Sequence, residues 1–385
     1  MAGCRTLARS CGALGLVAGI VVASCLPAAA APAWSVVGTA PGDAYGHVSA
    51  VACPAANSCV AVGARDLPNS VTRLAERWNG KNWLALATPN PTGAITSQLS
   101  AVACPTTTSC FAVGQFNTIA PITKTLVERW DGAHWTVLPS PNVTGAPVSL
   151  LAGIACATAT SCVAVGSSFS STDDTATTKT LTEIWNGSTW QIVPSPNQPI
   201  AGDSALAAVA CTSVTSCFAV GSYDTALATS TLIEHWDGSS WQIVPSPNPK
   251  GSTTSELAAV SCASSSSCTA VGTGHGSLIE RWNGGLWGIV TSANPAGATG
   301  VSLSGVACPS VSRCVAVGTT FRQINVQRLV ETWNGTSWAI VSVPVPSKTV
   351  TSNLSGVSCA SVSSCFAVGE FRLGSSRRPL FDRYA

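Results

Sequence analysis

Cys104-Pro105-Thr106-Thr107-Thr108-Ser109-Cys110-Phe111-Ala112-Val113-Gly114 is the second of seven copies of one pattern, C-x5-C-x-A-V-G, in a chain of 385 residues. The cysteine pairs are Cys53 and Cys59, Cys104 and Cys110, Cys156 and Cys162, Cys211 and Cys217, Cys262 and Cys268, Cys308 and Cys314, and Cys359 and Cys365. First cysteines follow one another at 51, 52, 55, 51, 46 and 51 residues. Self-similarity near fifty residues means that one supersecondary unit is copied and stacked.

A second signature, W-N/D-G-x-x-W, lies between successive pairs at Trp78–Trp83, Trp130–Trp135, Trp185–Trp190, Trp236–Trp241, Trp282–Trp287 and Trp333–Trp338. That is seven copies of the first signature and six of the second. The ends resolve the mismatch. The last repeat stops at Leu380-Phe381-Asp382-Arg383-Tyr384, which matches Leu126-Val127-Glu128-Arg129-Trp130 and has nothing after it. Near the N-terminus, Trp34-Ser35-Val36-Val37 is an orphan copy of the missing piece, Trp190-Gln191-Ile192-Val193. A ring in which the N-terminal strand completes the last repeat needs this arrangement; an open solenoid does not.

Within the second repeat, Leu99–Cys104, Cys110–Gly114, Thr125–Trp130 and Trp135–Leu138 read as four short strands of branched and aromatic residues. Asp131-Gly132 between the last two marks a hairpin turn. Four antiparallel strands per repeat make a propeller blade. The expectation is an all-β, seven-bladed propeller over residues 34–385, closed by its N-terminal strand. The tryptophan pairs are expected to pack between neighbouring blades. Prolines after the fourth strand, such as Pro139 and Pro141, fit an outer edge that they protect from pairing.

The first 31 residues read as a secretory signal: Arg5 and Arg9, an apolar run from Cys11 to Ala23, Pro27, then Ala28–Ala31 as a cleavage region. Of 17 cysteines, Cys4, Cys11 and Cys25 leave with it. An even set at fixed spacing in an exported protein reads as disulfides, each stapling its own loop. Val22-Ala23-Ser24-Cys25 also fits a bacterial lipobox, and lipidation at Cys25 is the one route to a membrane. The expected location is secreted or at the cell surface, and the expected state is a monomer. Zinc is a poor reading of C-x5-C because only four histidines exist and none recurs beside the pairs. No metal or cofactor is expected.

The repeats resemble those of exported actinobacterial proteins that carry similar C-x5-C-x-A-V-G and W-N-G-x-x-W elements. The architecture is similar to seven-bladed propellers, among them sugar-binding lectins, without the signatures of WD40 or kelch repeats. The resemblance implies export and fold, and no activity.

Charged residues make up 9% of the chain, net charge is +2 and mean hydropathy +0.33. Nucleic acid as partner calls for a basic field that this balance does not supply. In a propeller the second-to-third strand loops and the blade connections share one face, and the near-constant C-x5-C and W-N/D-G-x-x-W turns share the other. From the A-V-G glycine to the leucine of the third strand the span is 15 residues in Gly166–Leu181 and 6 in Gly272–Leu278, so variation gathers on the first face. Binding is expected there, to a cell-wall glycan or an extracellular protein.

Candidate residues on that face fall into three groups. Phe116, Phe169, Tyr223, Phe321 and Phe371 follow A-V-G and offer aromatic platforms or caps for the core. His47, Gln98, Glu256 and Asn353 precede the first strand at positions expected to rim the central channel. His275, between Gly274 and Gly276, is the most enzyme-like residue, with no nucleophile motif beside it. A polysaccharide hydrolase or lyase at the channel mouth is the alternative reading, with Glu256, Asp203 and Asp43 as its carboxylates. The acids Glu76, Glu128, Glu183, Glu234, Glu280, Glu331 and Asp382 recur in every repeat, which fits a structural acceptor inside each blade rather than catalysis.

Overall fold

Alternating small and branched residues fold each repeat into a four-stranded antiparallel sheet. In a computed structural model, residues 32–385 are described apart from 40–44, 68–69, 121, 171–176, 200–201 and 324. Residues 1–31, read above as a leader and including Cys25, lie outside the described residues. Among the described residues there are 28 strands and no helix, hence none that is long and apolar enough to cross a membrane.

Blade 2 shows the unit. Its strands are Thr96–Thr106, Ser109–Asn117, Thr123–Trp130 and Trp135–Leu138, paired in sequence order. Both tight turns carry their own chemistry. The sulfurs of all seven cysteine pairs stand at bonding distance, each across its own loop. Closing so short a loop contributes about 2 kcal/mol in the chain-entropy picture. In the other turn, Asp131 Oδ1 accepts from the backbone N–H groups of Ala133 at 2.8 Å and His134 at 2.7 Å, and Gly132 has φ of 103°. A Cβ on Gly132 would stand 3.1 Å from Thr108 of the cysteine loop, so the two turns pack on each other at one face.

The blades stack through both faces. Leu126 and Trp130 of blade 2 lie in a cluster with Val60, Val62 and Ala75 of blade 1, whereas Phe111, Val113 and Val127 meet Leu151 and Trp190 of blade 3. Alternation along each strand therefore serves two neighbours at once. The tryptophan pairs sit in these junctions as expected: Trp83 stacks on Phe381 of blade 7 at 4.3 Å and meets Phe366 edge-on at 5.2 Å.

The inner strands carry a β-bulge in every blade. Pairing with the second strand skips Ser49, Ser100, Ala152, Ala207, Ala258, Ser304 and Ser355. The A-V-G glycine stands across from each bulge. A Cβ there would fall between 1.8 Å (Gly272) and 2.3 Å (Gly369) from an inner-strand carbonyl oxygen, so the seventh letter of the motif admits no side chain. The bulges turn the inner strands along a central channel.

Ring closure is a strand pairing. Trp34–Val37 runs antiparallel to the last strand, with Trp34 opposite Tyr384 and Val37 opposite Phe381. Blade 7 is thus Thr351–Ser361, Ser364–Leu373, Ser376–Tyr384 and Trp34–Val37. Trp34 is buried against Val317 and Val330 of blade 6 and lies 5.5 Å from the Tyr384 ring. On the other side, Cys53 N–H of blade 1 donates to Ser358 Oγ of blade 7 at 3.0 Å. Trp34→Ala removes a buried ring from the closing strand and is expected to lower unfolding free energy by about 3–5 kcal/mol, read from the denaturant midpoint. A change under about 1 kcal/mol would mean that this strand is not part of blade 7.

Candidate functional site

The channel wall is made of small residues. A cavity of about 290 Å³ runs between Ser49–Val51, Ser100–Val102, Ala152–Ile154, Ala207–Val209, Ala258–Val260, Ser304–Val306 and Ser355–Val357, one triplet from each blade. His47, Gln98, Glu256 and Asn353 do not line it; they lie at or near the start of the inner strands, before the bulge. They hold the same register in four blades, each opposite the residue that follows the A-V-G glycine. Gln98 shares a depression of about 150 Å³ with Phe116, Val71 and Gln115. Glu256 is exposed in blade 5.

His47 belongs to a charged group at the ring-closing junction. Arg377 of blade 7 pairs with Glu370 and, through Nη1, with Asp66 of blade 1 at 3.2 Å, while Asn353 lies opposite Glu370 in the sheet. Burial lowers the His47 pKa; Arg377 acts in the same direction, and Glu370 and Asp66 oppose it. The imidazole is thus biased toward its neutral form. Among the described residues no group of three or more His, Cys, Asp or Glu side chains is placed to hold a metal.

The aromatic residues divide. Phe116, Tyr223 and Phe371 are half-buried and pack onto the junction clusters, while Phe321 is 40% exposed. His275 is exposed with φ of 54°, and its Nε2 lies 2.8 Å from the Gly251 carbonyl oxygen, which ties the shortest loop to the preceding connection. For the carboxylates of the hydrolase reading, Asp203 accepts from Thr178 N–H at 2.6 Å, Glu256 stands in another blade, and Asp43 lies outside the described residues.

The recurring acids are fully buried, and the partners resolved for them lie in the preceding blade rather than in their own, which corrects the expectation of an acceptor inside each blade. Ser140 Oγ of blade 2 donates to Glu183 of blade 3 at 2.8 Å, and Ser195 of blade 3 donates to Glu234 of blade 4 at 2.7 Å. Ser246 reaches Glu280 at 3.0 Å and Ser292 reaches Glu331 at 2.9 Å. Three of these serines also bond the hydroxyl before the third-strand leucine: Thr125, Thr231 and Ser277. Two third strands carry an arginine in place of that hydroxyl. Arg73 Nε pairs with Glu128 at 3.0 Å, and Arg328 Nη1 with Asp382 at 3.0 Å. Thr39 holds the matching position beyond Trp34.

Burial raises these acids. Glu183 and Glu280 are pushed up from 4.5 to about 8, and Glu128 and Glu234 to about 7, with the serine bonds or Arg73 acting against the shift. Asp382 rises to about 6, opposed by Arg328. Complete burial at every junction leaves these acids no route to a ligand, which assigns them to blade cohesion.

No family model and no curated protein matches the chain. Among solved structures, YCF48 from Cyanidioschyzon merolae is similar at 13% identity with a TM-score of 0.53, over 91% of this chain and 98% of that one. YCF48 bound to D1 peptide is similar at 11% identity and 0.52, over 91% and 96%. A protein of unknown function from Dyadobacter fermentans is similar at 10% identity and 0.51, over 78% and 97%. At these identities the likeness shows the β-propeller fold alone.

A folded acid that holds its proton to higher pH than the unfolded chain stabilises at low pH and loses that advantage as pH rises between the two pKa values. For Glu183 and Glu280 the window runs from 4.5 to about 8. The thermal midpoint is therefore expected to be higher at about pH 5.5 than at about pH 8.5. Glu183→Gln, which keeps an acceptor for Ser140 and cannot ionise, is expected to raise the midpoint at the higher pH and leave it nearly unchanged at the lower one. Equal effects at both pH values would show that this carboxyl does not titrate in the junction.

Proposed function

We propose that this protein is a non-enzymatic binding or scaffold propeller that works outside the cytoplasm and takes a protein or glycan partner on its variable-loop face. The carrying observation is a division of labour between faces. The two constant turns pack on each other at one face, while the second-to-third loops, which differ in length from blade to blade, sit at the other. Leu227 and Ile119, in two of those loops, are 89% and 88% exposed, and Phe321 adjoins a third. Apolar side chains held so far into water on a rigid frame fit a partner that covers them.

Seven cysteine pairs at bonding distance fit an oxidising compartment, which supports export. Peptide binding by a YCF48 propeller supports a peptide or protein as partner before a glycan. The test is an array of extracellular proteins, peptides, glycans and cell-wall fragments probed with the oxidised chain of residues 32–385. Binding to a protein or peptide that falls at least about tenfold in Ile119→Ser/Leu227→Ser is the expected result. A saccharide hit that ignores those changes and fails in Phe321→Ala would move the assignment to a glycan. Turnover of a polysaccharide that disappears in Glu256→Gln would overturn the non-enzymatic reading.

A further inference from the structure

The connector of blade 6 lacks a part that blades 2 to 5 share. Behind the third strand, a connector asparagine caps the chain: Oδ1 of Asn142, Asn197 and Asn248 accepts the backbone N–H of Thr125, Thr180 and Thr231 at 3.0 Å, and Asn294 accepts that of Ser277 at 3.1 Å. At the first junction Arg73 occupies this position, and both of its terminal nitrogens are hydrogen-bonded. Nη2 donates to Asn90 at 2.7 Å, Nη1 to Ser97, and Nε faces Glu128. Blade 6 repeats the arginine without the cap. Its connector reads Val343-Pro344-Val345 where blade 3 has Ser195-Pro196-Asn197.

The consequence is a cavity with unmet donors. Arg328 is 7% exposed and gives Nη1 to Asp382, while its Nε and Nη2 have no hydrogen-bond partner, nor does Thr320 Oγ1. All three are buried, and a buried donor left unmet destabilises the fold that holds it. Beside them lies a cavity of about 310 Å³ whose wall includes Arg328, Thr320, the exposed Arg322, Val326, Ile340 and Val345. Two arginines and no acid line it. Val345, at the asparagine position, is 63% exposed and caps nothing.

The geometry points to this cavity as a binding site for an aliphatic carboxylate, whose oxygens take the place that the connector asparagine fills at other junctions and whose branched chain lies on Val326, Ile340 and Val345. A carboxylate is acceptor-only, and the Nε and Nη2 edge of a guanidinium receives two oxygens side by side. Two sources share that chemistry: the C-terminus of a peptide ending in a branched residue, and a free short-chain fatty acid. The site stands independently of the loop-face partner.

The test uses the oxidised chain of residues 32–385, titrated calorimetrically with 4-methylpentanoate, with acetyl-Gly-Gly-Val as the free acid, and with the same peptide as its C-terminal amide. One of the two carboxylates is expected to bind with Kd below about 1 mM, and the amide at least about tenfold more weakly. The stronger of the two acids identifies the source. Val345→Asn restores the missing cap, so it is expected to raise the thermal midpoint and to weaken carboxylate binding at least about tenfold, while loop-face binding is unchanged. Arg328→Met serves as a second variant and is expected to abolish the preference for acid over amide. No binding of either acid at about 10 mM, equal binding of acid and amide, or full affinity in Val345→Asn would each overturn the proposal.

Discussion

A blade of this protein has two apolar faces and no means of hiding either. Val113 and Val127 look one way, Leu126 and Trp130 the other, so a single four-stranded sheet would leave both sets in water. A linear stack would still strand one face at each end. Only a ring gives every blade two neighbours, and the ring closes because Trp34–Val37 supplies the outer strand that the C-terminal repeat lacks. The disulfides do not close it: each spans one tight loop, so they stiffen blades one at a time.

Closure also explains the polar interior. Each third strand places a fully buried carboxyl group in the junction with the preceding blade, and most junctions answer with a serine from the connector. Such a bond is specific in direction and register, because it forms only when one blade's connector meets the next blade's third strand. At two junctions without the serine, an arginine before the third-strand leucine meets the acid instead, at Arg73 and Arg328. At Arg73 a connector asparagine completes the exchange; at Arg328 it does not, and a cavity results.

Much of this was legible in the residues. The cysteine and tryptophan spacing placed every blade, and the orphan Trp34 and truncated Leu380–Tyr384 announced the closing strand. The junction role of the tryptophans followed from the need to cover two faces. Other features were hidden for physical reasons. The acids were readable as structural, but their serine partners are 34 to 43 residues upstream, three of the four in Ser-Pro connectors whose prolines read as edge protection. The inner-strand bulge falls on Ser100 and Ala152, residues ordinary in any strand, so it had no signal on its own strand. A closer reading of the A-V-G glycine, invariant across seven repeats within one chain, was the available clue to that bulge.

Function rests on the same division between constant and variable parts. A ring held by buried bonds leaves its loop face free to differ from blade to blade, and the exposed apolar tips of Ile119 and Leu227 lie there. The central claim is the closed ring, and amide hydrogen exchange tests it most directly. The account predicts that the peptide covering residues 33–38 exchanges as slowly as the one covering 376–384, because the two strands pair and open together. Exchange of residues 33–38 at the rate of an unfolded chain, with 376–384 still protected, would contradict it.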